Sequence, residues 1–107
     1  MRLAPEVVCA LVEGLSPHLD TCSGAELLLF GSRVNDRRRG GDIDLLLLID
    51  DKTTRDRVRM AKIDILADWK RRLGEQKIDF RIASRDEAAT DAFLKVVLSS
   101  AVPLHSW

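Results

Sequence analysis

Three aspartates carry the chemical interest of this sequence. Asp42 and Asp44 stand two residues apart at the mouth of an aliphatic run, Asp-Ile-Asp-Leu-Leu-Leu-Leu-Ile. In an extended strand, residues two apart project from the same face, about 7 Å from each other. Like charges beside a buried strand repel, and desolvation disfavours them further. A divalent cation removes that penalty, and carboxylates, water and phosphate oxygens are the ligands Mg²⁺ takes. An isolated Asp-x-Asp more often only keeps a strand end soluble, so its company matters. Gly31-Ser32 directly follows a second apolar run, Glu26 to Phe30. A glycine there lets backbone approach a ligand, and amides with a hydroxyl can cradle phosphate oxygens. Asp79 lies on the polar side of an alternating segment. Three carboxylates converging on one open sheet face could hold metal with two, while the third joins a second metal or takes a proton from an attacking hydroxyl.

The elements that must position these groups read as follows. Pro5 opens a helix with Glu6 in its first turn; Val7, Val8, Leu11, Val12 and Leu15 recur at helical spacing until Ser16-Pro17 interrupts, near residue 16. Glu26 to Phe30 is short and bounded by glycines, which favours a strand. Residues 31 to 41 form a loop rich in Gly, Arg and Asp, and 42 to 49 a strand covered on both faces. Asp50 and Asp51 solubilise the following turn. Thr54 then caps a helix of about four turns bearing Val58, Ala61, Ile65, Leu66, Trp69 and Leu73, ended by Gly74. From Lys77 to Ala83, Ile78, Phe80 and Ile82 alternate with Lys77, Asp79 and Arg81, a strand with one covered face. Ser84 and Glu87 form a capping box for a last helix that turns Ala89, Phe93, Val96 and Val97 inward. A helix joining the second and third strands makes them parallel neighbours through a right-handed crossover.

Gly-Ser, nine intervening residues, then Asp-x-Asp followed by leucines resembles the signature of DNA polymerase beta-like nucleotidyltransferases. Phe30-Gly31-Ser32-Arg33 resembles in particular the minimal nucleotidyltransferases, which have about this length and order of elements. The resemblance implies an α+β fold, a small mixed β-sheet with helices packed mainly on one face, in the order α-β-β-α-β-α. It implies that Gly31, Ser32 and Arg33 contact a triphosphate and that Asp42, Asp44 and Asp79 hold two Mg²⁺ ions. The expected reaction is transfer of a nucleotide, AMP from ATP or its equivalent from another NTP, with release of pyrophosphate. With no residues in this sequence left for an acceptor-binding domain, a second polypeptide is the natural candidate to complete the cleft. In the minimal subfamily that partner is a helical HEPN-type protein, which implies an antitoxin acting on its toxin. Two alternatives stay open: a non-catalytic module that neutralises a partner by binding, and transfer to a small molecule. The loop Asp36-Arg37-Arg38-Arg39 is unusually charged, and a solvated basic loop accounts for it as well as a phosphate contact does.

The rest of the sequence mostly excludes. At 107 residues it is expected to make a single domain, 1–107. Seventeen basic side chains balance seventeen acidic ones, so an extended grip on nucleic acid is not expected. Cys9 and Cys22 read as reduced thiols, and the apolar runs fall far short of the roughly 20 residues a membrane span needs. A cytoplasmic protein is expected, and a homodimer is compatible with the sequence. His18 and His105 lack ligand-spaced neighbours. Trp69 reads as core, and Trp107 as an aromatic that docks on the domain or on a partner.

Overall fold

The computed structural model describes residues 3–19, 24–31, 43–74 and 76–107. Its elements are α1 (Pro5–Leu19), β1 (Glu26–Phe30), β2 (Ile43–Ile49), α2 (Lys52–Met60), α3 (Lys62–Leu73), β3 (Ile78–Ser84), α4 (Arg85–Thr90), α5 (Ala92–Ser100) and β4 (Val102–Ser106). The four strands form one mixed sheet in the order β3-β2-β1-β4. β1 runs antiparallel to β2 and β4, while β2 and β3 are parallel, as the α2–α3 crossover requires.

Alternation along the strands divides the core in two. Leu27, Leu29, Leu45, Leu47, Ile49, Phe80 and Ile82 face α1, α2 and α3. There Leu11, Leu15 and Leu19 of α1 meet Val58, Ile65 and Trp69. Trp69 is fully buried, so its indole N–H needs a partner; it donates to the Leu11 carbonyl at 3.1 Å. The two helices approach so closely because position 14 is glycine, where a β-carbon would stand 2.6 Å from the indole nitrogen. On the opposite face, Leu28, Phe30, Leu46, Leu48 and Ala83 pack under Ala88, Leu94 and Val97 of α4 and α5.

Several expectations from sequence are corrected. Helix α1 does not stop near residue 16 but carries Pro17 inside its last turn. The Ser16 hydroxyl donates to the Val12 carbonyl at 2.8 Å, and the extra turn buries Leu19 completely. The four-turn helix is two helices broken at Ala61. Its N-cap is Asp51, not Thr54: the Asp51 carboxylate accepts from the backbone N–H groups of Thr53 and Thr54 and from the Thr54 hydroxyl. Asp51 is therefore structural rather than a solubilising turn residue, and the Thr54 hydroxyl bond leads the effects that hold its carboxyl below the ordinary Asp range. Asp50 is engaged as well, in an ion pair with Arg85.

The third strand runs one residue later than expected, and the Ser84–Glu87 capping box is present. The final helix breaks at Asp91, which caps α5 by accepting from Leu94 N–H at 3.1 Å. The break resets the helical phase. Leu94 and Val97 turn inward, whereas Ala89, Phe93 and Val96 face solvent. A fourth strand, β4, pairs with β1 at the sheet edge, where a proline such as Pro103 is tolerated. Trp107 docks on the domain itself, its indole donating to the Ser16 hydroxyl at 3.3 Å and its ring edge-on to His105.

Candidate active site

Asp44 is the second residue of β2, and it is flanked in register by Phe30 of β1 and Asp79 of β3. Register partners on adjacent strands share a face and lie about 4.8 Å apart across the sheet. Asp44 and Asp79 therefore stand side by side on the face that carries α4 and α5, where that face is not covered. The two helices roof Leu46, Leu48 and Ala83, and Asp44 and Asp79 lie beyond the roof toward the strand starts. Asp44 is partly buried and Asp79 exposed. Among the described residues Asp79 makes no ion pair or hydrogen bond through its carboxylate.

Gly31 follows β1 with φ +80°, a conformation that favours glycine. A β-carbon at this position would collide with the Asp44 carboxylate. The end of β1 thus passes directly against the acid, and any side chain there would fill the space beside it. Ser32, Arg33, Asp42 and the Arg37–Arg39 loop lie outside the described residues. Of the sequence-predicted site, the structure brings together Gly31, Asp44 and Asp79.

These residues suit a hard cation. Two carboxylates in register supply oxygen ligands of the kind Mg²⁺ accepts, and the glycine lets the backbone at the end of β1 approach one of them closely. Among the described residues no three His, Cys, Asp or Glu side chains cluster as a metal site.

Sequence reasoning missed the basic residues next to Asp79. Arg59 of α2 donates to the Ile82 carbonyl at 2.7 Å and to Glu87 at 3.1 Å. Glu87 in turn accepts from Ser84 N–H at 2.9 Å and pairs with Arg55. The Ser84 bond is the main influence holding the Glu87 carboxyl below the usual range, with Arg55 and Arg59 adding to it against partial burial. Arg81, two residues beyond Asp79 on the same face, lays its guanidinium over the Phe93 ring, 4.8 Å from the centroid. The signal for Arg81 was the alternation of the strand; for Arg59 there was none, since its partners are 23 and 28 residues away.

The mixed sheet, the helix-linked parallel pair and the acids at the strand starts define a polymerase beta-like nucleotidyltransferase fold. The chain belongs to the nucleotidyltransferase domain family, whose model matches residues 9–104, from α1 into β4. That extent is consistent with a minimal nucleotidyltransferase. No curated protein matches the chain closely enough to be compared. Among the described residues no helix is long and apolar enough to cross a membrane.

Proposed function

We propose that the protein transfers a nucleoside monophosphate, AMP in the first instance, from an NTP to a hydroxyl of a partner protein. The observation that carries this reading is the registered pair Asp44–Asp79 on the uncovered part of the sheet, with Gly31 pressed against Asp44. In the reaction the acceptor oxygen attacks the α-phosphorus, the bond from that phosphorus to the bridging oxygen breaks, and pyrophosphate leaves. Asp79 is open to solvent beside Asp44, so an acceptor hydroxyl can reach it and give up its proton there. Asp42, Asp44 and Asp79 would hold Mg²⁺, which when bound offsets the charge on the phosphates. Gly31, Ser32 and Arg33 would receive the triphosphate.

The family resemblance makes a helical HEPN-type protein the favoured acceptor, with this chain as antitoxin of the pair. The test is to mix the chain with its co-purifying partner, Mg²⁺ and α-labelled ATP, and to follow the partner's mass and label. Added AMP and released pyrophosphate are expected. A tight complex with an unlabelled partner, neutralised equally well by Asp44→Asn and Asp79→Asn, would replace transfer with simple binding.

A further inference from the structure

Along the outer edge of β3, next to Asp79, lies an open cavity of about 390 Å³ whose charged walls are Arg59, Lys62, Asp79 and Arg81. Three cations surround one carboxylate. Arg59 is already committed to the Ile82 carbonyl and Glu87. Lys62 and Arg81 are not: among the described residues neither makes an ion pair or hydrogen bond. The Arg81 guanidinium lies over the Phe93 ring, and its N–H groups are able to fork onto an oxyanion.

The position of this cavity separates it from the place expected for the donor triphosphate. Gly31 follows β1, whereas the cavity opens on the far side of β3, so the width of β2 lies between them, at about 4.8 Å per strand step. Its surroundings favour a protein over a nucleic acid. Met60 and Ile63, each one residue after a cavity cation, are 88% and 81% exposed, and Phe93 and Val96 of α5 are 49% and 68% exposed. Exposed apolar side chains beside arginine are the make-up of a protein interface, and a balanced net charge does not suit a polyphosphate chain.

We infer that this cavity is the acceptor-side subsite, and that it takes a carboxylate of a protein acceptor between Lys62 and Arg81, bringing a neighbouring hydroxyl to Asp79. The identification of its occupant as acceptor rests on the transfer reading above; the anion site itself does not.

The test is a nucleotide-free NMR titration of the whole chain with a short peptide holding one tyrosine between glutamates. The same peptide with glutamines, AMP and inorganic phosphate serve as comparison probes. The Glu peptide should shift the amides around Lys62, Asp79, Arg81 and Phe93 and bind about 5-fold more tightly than the Gln peptide, as an exposed charge pair allows. K62Q and R81Q should each weaken the Glu peptide by a similar factor. Lys62 is partly buried at the start of α3 and makes no hydrogen bond or ion pair among the described residues, so K62Q reads the site even if R81Q disturbs the strand. Equal binding of both peptides, shifts confined to another surface, or no binding of any probe would overturn the inference. So would AMP or phosphate occupying the same amides more tightly than the Glu peptide, since the cavity would then belong to the nucleotide. With no ATP present, each of these outcomes is independent of whether transfer occurs.

Discussion

On the side of the sheet facing α1–α3, Leu27, Leu29, Leu45, Leu47 and Ile49 are all fully covered, and Trp69 fills the space beneath them with its one polar atom satisfied. On the other side the same strands are roofed only by α4 and α5, and the cover reaches Phe30 on β1 but stops at Leu46 on β2 and Ala83 on β3. Toward the strand starts that face then carries Asp44 on β2 and Arg81 and Asp79 on β3, with Asp44 and Asp79 in register. The strands are continuous through both regions; only the presence of a helix overhead differs. Where a helix lies above, burial selects leucine. Where none does, carboxylates can stand ionised, and the rigid half of the sheet fixes their spacing. The site is thus a bare patch on a framework held elsewhere.

That comparison can be broken at either region. The largest effect is expected at the bare end: Asp44→Asn should abolish nucleotidyl transfer in the labelled-ATP assay while the protein stays folded, because a carboxylate of the proposed metal site is removed and no core contact is lost. Next comes the packed face. Trp69→Ala should destabilise the protein by about 3–5 kcal/mol in urea unfolding, from lost burial, the cavity left under the sheet and the lost indole bond to the Leu11 carbonyl. Activity of whatever fraction stays folded should be retained. Asp79→Asn should slow transfer by about 100-fold while changing triphosphate binding much less, if the carboxylate takes the acceptor's proton. An equal loss of both would make Asp79 a ligand alone.

Smaller effects belong to the α4 junction. Ser84→Ala removes half of the capping box and should cost about 1 kcal/mol. Glu87 titrates below its unfolded value, so the stability it contributes is complete above the ordinary Glu pKa of about 4.3 and is lost as pH falls through and below that value. Glu87→Gln should flatten that part of the acid limb in a melting-temperature series, leaving the neutral-pH slope unchanged.

The parts of this architecture that were legible in sequence are those with sharp local signals. β1 and β2 are aliphatic runs cut off by glycine and aspartate, β3 alternates, and the Ser84–Glu87 spacing marks its cap. The helix breaks were not legible. Ala61 is neither glycine nor proline, and Asp91 interrupts an apolar pattern that reads through without it, so Val97 was placed inward correctly but Ala89, Phe93 and Val96 were not, and Leu94 was missed. β4 was hidden because it owes its existence to pairing with β1, and Pro103 argues locally against a strand. At the site, the types and spacing of Asp42, Asp44 and Asp79 were readable. That Asp79 would share an open face beside Asp44 was readable too; their exact register was not, because it depends on the length and packing of a crossover that no local pattern encodes. Arg81 was visible in the alternation of β3, but Arg59 and Lys62 were invisible for the same reason, since α2 and the start of α3 reach Asp79 only in the folded chain.

The claim that the uncovered end of the sheet is a metal-assisted triphosphate site is met most directly by calorimetry of ATP binding, in Mg²⁺ and in EDTA, for the wild type and Asp44→Asn. The account predicts saturable binding by the wild type in Mg²⁺, much weaker binding in EDTA, and a similar loss in an Asp44→Asn protein that still unfolds cooperatively. Equal affinity with and without the metal, or an Asp44→Asn protein that binds as the wild type does, would contradict it.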